Sequence, residues 1–344
     1  LRVAAETIHM LARVLSWFRP RRAQVEGTPS VVTKHPTLPA RTPTNVMDVL
    51  RDQIEGGREE VPTSLPVGVT QLAETVFARA FDTPAPPSFP AVAVRVMAIA
   101  RNPSADVNQL VGAVQRDAAI AQALLRVANS AVYAGGEPVN SLRGAVQKLG
   151  MYSVIEVVMG EAGRGYYQLA SKQELALFPE IWPKLANEAM ANGFSAGRLG
   201  LDVPGARSER ALLGGLLADV GRPIALRVIS SMILEGAPHY DDASVLATLD
   251  EIAPAIGARA ISRMNLPDDV IAACACEGEL DVDARVAQLI AAVGGVQRRG
   301  ARVWRHANTV SSHAEKLGLK PLAVRALFAQ RLAYVEQAAQ MFNG

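Results

Sequence analysis

The sequence predicts an all-α protein, and three observations carry that prediction. Apolar residues recur at three- and four-residue spacings in one segment after another. Those segments open on Ser, Asp or Pro and close near Gly or Asn. Alternating apolar and polar runs of the kind that build half-buried strands are scarce, and no internal repeat is present. With 344 residues, 49% of them hydrophobic, the chain has length for two domains or one large one and ample material for a core.

The first element is an amphipathic helix over residues 1–19, with Leu1, Ala4, Ile8, Leu11, Leu15 and Phe18 on one face. That face suits packing on the protein itself or on a second copy. The adjacent RPRR, Arg19 to Arg22, also allows peripheral contact with an anionic membrane surface. Residues 20–85 read as a flexible linker with short helices: Pro20 to Pro43 is rich in Pro, Thr and Arg, and a helical pattern returns from Asn45. Pro84, Pro86, Pro87 and Pro90 then mark the start of the main domain, divided into a first helical lobe over 86–170 and a second over 171–344.

Within the main domain the helices follow from caps and stripes. Ser104 is read as a cap for a helix whose buried stripe is Val107, Leu110, Val111 and Val114, with Asp106 at the positive end of its dipole. Asp117 caps the next, which turns Ile120, Leu124 and Val127 inward and ends near Asn129 and Ser130. Ser141 starts another, with Leu142, Ala145, Val146 and Leu149 on one side and Gly150 as its left-handed stop. Ser208 begins a helix that Gly221 breaks. Pro223, Pro267 and Pro321 sit where a following helix tolerates a fixed φ, and Asp268 and Asp269 place negative charge in a first turn.

Composition restricts the function. A formal net charge of +2 gives no single-sign field of the sort a general nucleic-acid or membrane binder carries. Two cysteines, Cys274 and Cys276, stand at a helical spacing that points them apart, so a reducing, cytoplasmic setting is expected. Arg2, Glu6, His9 and Arg13 interrupt the N-terminal apolar segment, which therefore suits neither a membrane span nor a signal peptide.

Several segments together resemble the HDOD domains, HD-related output domains of bacterial signalling proteins. Ser88 to Met151 carries the marks of the first half: Pro90 before a short apolar helix, Asp117 opening the next, the Leu125 to Ser130 segment LRVANS, and Ser141, Ala145, Leu149 and Gly150 spaced as Ser-x-x-x-Ala-x-x-x-Leu-Gly. Ala118 stands where that family commonly has proline. In the second half, ERALLGGLLADVGRP resembles the family's Gly-Leu-Leu-x-Asp-x-Gly segment, and LPDDVIAACACEGEL its Leu-Pro-x-x-Ile helix. The resemblance spans roughly residues 86–300 and implies a two-lobed helical fold, the later lobe related to HD phosphohydrolases, with a regulatory role and no hydrolase activity in most members.

A metallophosphohydrolase needs several His and Asp ligands on one cation that polarises the phosphoryl oxygen and generates hydroxide. Alignment with the HD pattern puts Lys184 at or near the early histidine, Ala218 at the paired one, Ala253 near a later one, and Cys276 and Glu277 near the last. Asp219 alone keeps a ligating group, and the lysine ammonium brings positive charge where a cation should sit. No metal and no cofactor is therefore expected. Asp219 itself is read as a cap for the following helix or a partner of Arg222. His306 and His313 share a helix face and are assigned to surface or core packing. Gly214 and Gly215 lack the order of a phosphate loop and are assigned to close helix packing.

The sequence thus predicts a non-enzymatic regulatory protein that presents a helical surface to a signalling partner, moving a groove between the lobes or the N-terminal segment. The groove residues are Asn129, Ser130, Lys184, Asp219 and Arg222, with the seam between the Asn129–Gly150 segment and the second lobe. The alternative is a sensor of a nucleotide or cyclic-dinucleotide second messenger, with Lys184 and Arg222 supplying charge to phosphates. DNA contact through Arg19 to Arg22 ranks below both, because no recognition-helix pattern accompanies it.

Overall fold

A computed structural model describes residues 43–342, apart from 57–61, 63, 83–88, 101, 103, 130–137, 168–169, 265 and 275–277. The amphipathic segment 1–19, most of the Pro20–Pro43 linker, Pro84, Pro86, Pro87, Ser130, Cys276 and Glu277 lie outside the described residues. Among the described residues there are fifteen helices and no strand. No helix among them is long and apolar enough to cross a membrane.

The first half consists of α1 (Val46–Glu55), α2 (Val69–Asp82), α3 (Ala91–Ala100), α4 (Val107–Val114), α5 (Ala118–Ala128), α6 (Leu142–Tyr167) and α7 (Lys172–Leu177). Local chemistry sets their ends. Asn45 accepts from the Asp48 N–H while the Asp48 carboxylate returns to the Asn45 N–H, a reciprocal cap that starts α1. Asp117 accepts from both Ala119 and Ile120 at 3.1 Å, as its position predicts. Ser104, by contrast, does not cap α4. Asp106 does, accepting from the Gln109 N–H at 2.9 Å, because the acid stands one residue before the first helical turn and Ser104 stands three.

Gly150 is the stop that its position predicts, a glycine at positive φ between two helical stretches. It takes φ 76° and ψ 166°, a conformation closed to residues with a Cβ, and the helix resumes beyond it. The second part of α6 is thereby aimed at the second half of the chain.

That half comprises α8 (Ile181–Asp202), α9 (Ser208–Leu217), α10 (Gly221–Leu234), α11 (Asp242–Ile261), α12 (Asp268–Ala273), α13 (Val282–Arg298), α14 (Val303–Lys316) and α15 (Pro321–Phe342). Pro223 lies in the first turn of α10, Pro267 caps α12 and Pro321 opens α15, the positions where proline costs least. Two apolar cores result. One runs from Leu72 on α2 through α3 to α6 and on to α12. The other joins α1 to α8, α9 and the last three helices through Leu50, Ile54, Leu199, Ile290, Val310 and Phe328. The early helix α1 is held there by Arg299, which donates to the carbonyls of Gln53 and Ile54 at 3.1 and 2.6 Å and so satisfies groups a helix end leaves open.

Within the GGLLADVGRP stretch, Gly214 and Gly215 act by close approach as their helical context predicts, and Gly221, read as a break, opens α10 and is closely packed as well. A methyl at Gly215 would stand 2.5 Å from the Asn192 carbonyl on α8, and one at Gly221 would stand 2.0 Å from the Ala253 carbonyl on α11. The backbone can therefore press against both neighbours, and this fixes the turn between α9 and α10.

Candidate functional site

That turn carries Asp219 into a buried group of charges to which six different elements contribute. Glu188 and Asn192 are one turn apart on α8, Asp219 follows α9, Arg222 starts α10, Asp250 comes from α11, Arg298 ends α13 and Arg331 lies mid-way along α15. Arg298 is at the centre. Its Nη1 lies 3.1 Å from Glu188 Oε2 and 3.3 Å from Asp219 Oδ2, and its Nε lies 3.4 Å from Asp250 Oδ1. Arg222, with a side chain 2% exposed, pairs with the same Asp250 carboxylate.

Amides complete the network. Asn192 Nδ2 donates to Asp219 Oδ2 at 3.1 Å, and its Oδ1 accepts from Arg331 Nε at 2.7 Å. Arg331 Nη1 donates to Gln297 Oε1 at 2.6 Å. Three carboxylates thus face three guanidinium groups, and the balance explains how so many ions are buried together, since an unpaired one would cost several kcal/mol. Arg331 is the exception within the balance: its direct partners are neutral amides, and its Nη2 has none.

The charges set each other's protonation. Burial pushes the Asp219 carboxyl up, but the guanidinium groups of Arg298, Arg222 and Arg331 outweigh it and hold the acid below its ordinary range. Asp250 is lowered in the same way, with Arg222 and Arg298 overcoming its burial. Burial works against the charge on Arg298, yet Asp219, Asp250 and Glu188 reverse that and strengthen its hold on its proton. Burial lowers Arg331 to about 10, which leaves it charged at neutral pH. His306, on α14, is lowered to about 4 by burial and by Arg298, so its ring is neutral there. It packs over Gly295, where a methyl would stand 2.3 Å from the ring, and Arg331 packs over Gly294 in the same fashion.

The sequence-predicted residues separate under this geometry. Asp219 and Arg222 are both in the cluster, but Asp219 neither caps α10 nor pairs directly with Arg222: Arg298 and Asn192 hold it, because the turn aims the acid across the bundle toward α13 and α8. Lys184 is exposed on α8, one turn before Glu188. The positive charge placed against Asp219 is that of Arg298, not Lys184, and the acid contributed by α11 is Asp250, three residues before Ala253. Asn129 lies apart, clamping the Val139 backbone with hydrogen bonds of 2.8 and 2.7 Å. Ser130, Cys276 and Glu277 lie outside the described residues.

Glu188, Asn192, Asp250, Arg298 and Arg331 are site residues that the sequence does not single out; His306, assigned to packing, packs over Gly295 beside the charges. Glu188 and Asn192 carried a usable signal, a charge and an amide one turn apart among small residues in EAMANGFSAG. Arg298 and Arg331 carry none, since each meets its partners across separate helices, with Glu188 110 residues from Arg298 and Asn192 139 residues from Arg331.

Among the described residues no three His, Cys, Asp or Glu side chains are arranged to hold a metal ion. Glu188, Asp219 and Asp250 are the acids that surround this centre, and the guanidinium between them takes the space a cation would need. The residues present do not fit a catalytic metal.

A family model for the HDOD domain matches residues 87–280, more than half of the chain. The chain belongs to the HDOD-domain family. The HDOD match contains Glu188, Asn192, Asp219, Arg222 and Asp250, whereas Arg298, His306 and Arg331 come from the helices after it. A solved structure from Shewanella amazonensis, provisionally named a metal-dependent phosphohydrolase, is 17% identical with a TM-score of 0.50, covering 78% of this chain and all of that one. An HDOD domain protein of unknown function from Geobacter sulfurreducens is 14% identical with a TM-score of 0.49 over 86% of this chain and 97% of its own. The MmoQ response regulator from Methylococcus capsulatus is 18% identical with a TM-score of 0.30 over 71% and 98%. A search of the curated proteins found no match.

Proposed function

We propose that this HDOD protein is a non-enzymatic component of bacterial signal transduction that works in the cytoplasm by binding a partner protein. The observation that carries this reading is the placement of Arg298. A hydrolase of the kind named for the Shewanella structure depends on a cation that polarises phosphate and lowers the pKa of water. Here the three acids that would attract such a cation already share the Arg298 guanidinium, and the neighbouring Arg222 and Arg331 bring the positive charges to three. A neutral, closed charge network stabilises a helical scaffold and leaves the output to its surface. A partner that binds one arrangement of the helices better than another shifts the population between them.

A second reading, a sensor of a nucleotide or cyclic dinucleotide, has one observation in its favour. It is not Lys184, which is exposed, nor Arg222, which is paired with Asp250. Arg331 is 2% exposed, bonded only to amides, and keeps an unpartnered Nη2 that a phosphate oxygen would satisfy.

A thermal-shift screen of the full chain against nucleotides and cyclic dinucleotides separates the two. The partner-protein reading expects no stabilisation by any of them. A saturable rise in melting temperature that Arg331→Met abolishes would replace it with the sensor.

A further inference from the structure

The last helix, α15, buries Val324, Leu327 and Phe328 in the second core, and its opposite side is apolar as well. Among the described residues from Leu322 to Ala333, every exposed side chain of α15 is a leucine or an alanine. Leu322, Ala326, Ala329 and Ala333 form one stripe at spacings of four, three and four, with Ala323 and Leu332 at its edges. Leu322 and Leu332 are each more than half exposed. A surface helix ordinarily turns charged residues outward, so this face has the composition of a contact that the described residues do not supply. Arg325, at the edge of the stripe, pairs with Asp52 on α1 at 3.0 Å, so α1 flanks the face.

The chain carries a matching segment. Ala4, Ile8, Leu11 and Leu15 repeat the spacing of four, three and four, and each stripe is roughly 16 Å long as a helix. One stripe is mostly large side chains and the other mostly small ones, a combination that lets the ridges of one helix enter the grooves of another. The 24 residues Pro20–Pro43 join residues 1–19 to the start of α1, beside the face, and extend over about 75 Å. A tether of this kind holds the segment at an effective concentration on the order of a millimolar. A second copy is a poorer occupant. A stable interface between separate chains takes roughly 20–30 residues a side, and this face offers six, four of them alanine.

We propose that residues 1–19 of the same chain pack as a helix, through Ala4, Ile8, Leu11 and Leu15, on the outer face of α15. The inference goes beyond the partner-protein reading and does not depend on it. Both the stripe on α15 and the segment lie outside the matched HDOD residues, so the contact joins the two flanks of the family portion.

The test is disulfide trapping in the full-length chain, with Cys274→Ala and Cys276→Ala as background and Leu11→Cys paired with Ala329→Cys, near the centres of the two stripes. The control pairs Leu11→Cys with Leu234→Cys, a half-exposed position at the end of α10. Under copper–phenanthroline in air, the Ala329→Cys pair should close within one chain at least about tenfold faster than the control. Ile8→Glu, which puts a charge on the segment's stripe, should bring it down to the control rate. Equal rates for the two pairs overturn the proposal. Disulfides between chains in a dimer would give the face to a second copy, and unlinked chains that float with phosphatidylserine vesicles would give the segment to a membrane surface; either result overturns it. Should the cysteine variants not fold, amide exchange carries the same test: residues 4–15 should exchange more slowly in wild type than in Ala329→Glu, and equal exchange overturns the proposal.

Discussion

Replacing Glu156 with glutamine preserves the shape of a side chain and removes a charge that the fold holds at a cost. Glu156 lies on the second part of α6, where Tyr152, Arg198 on α8 and Tyr334 on α15 are its electrostatic neighbours. Burial pushes its carboxyl up from 4.5 to about 7, and neither the Tyr152 phenol nor the Arg198 charge compensates. The unfolded chain releases this proton near 4.5, while the folded protein keeps it until about 7. Over that window the unfolded state binds fewer protons, so stability falls as pH rises. The penalty is absent below the lower value and complete above the upper one. At 1.36 kcal/mol per unit, the shift bounds it at about 3 kcal/mol. Urea unfolding of wild type and Glu156→Gln at pH 5, 6, 7 and 8 gives the difference directly. The variant should gain on wild type steadily up to pH 7 and then level off. A difference that stays flat across the series would refute the assignment of the raised carboxyl to Glu156.

The remaining predictions concern single contacts. Gly221→Ala should destabilise by at least about 3 kcal/mol, because its methyl meets the Ala253 carbonyl and backbone must move; a melting curve checks it. Asp117→Ala should cost about 1 kcal/mol of unfolding free energy through the loss of two capping bonds on α5. Asn129→Ala should cost about 1–3 kcal/mol by leaving the Val139 backbone without its partner, read in the same denaturation assay. Arg299→Gly relieves a residue held at φ 54° but releases the end of α1, so amide exchange at Val49 and Leu50 should accelerate while global stability changes little.

The fold was more legible in the sequence than the site. Caps such as Asp117 and the proline starts at Pro267 and Pro321 act within a few residues, and spacing alone exposes them. The close packing of Gly214 and Gly215 was legible for the same reason, since two glycines inside a helical stripe have few other uses. Gly150 is legible as a positive-φ stop, whereas the helical stretch that resumes directly after it is not. Asp219 was found through its motif, but its partner was not: Arg298 lies 79 residues away and meets it only once α13 folds against α8 and α9. Asp250 and Arg331 were hidden likewise. On a helix with exposed neighbours, nothing local distinguishes a buried charge from a solvated one.

The most direct test of the account is hydrolysis itself: p-nitrophenyl phosphate, nucleoside monophosphates and a cyclic dinucleotide incubated with full-length wild type and Asp219→Asn in the presence of Mn²⁺ or Mg²⁺. The expected result is no turnover above buffer for either protein, because Arg298 holds the place of the cation. Metal-dependent turnover by wild type that disappears in Asp219→Asn would contradict it.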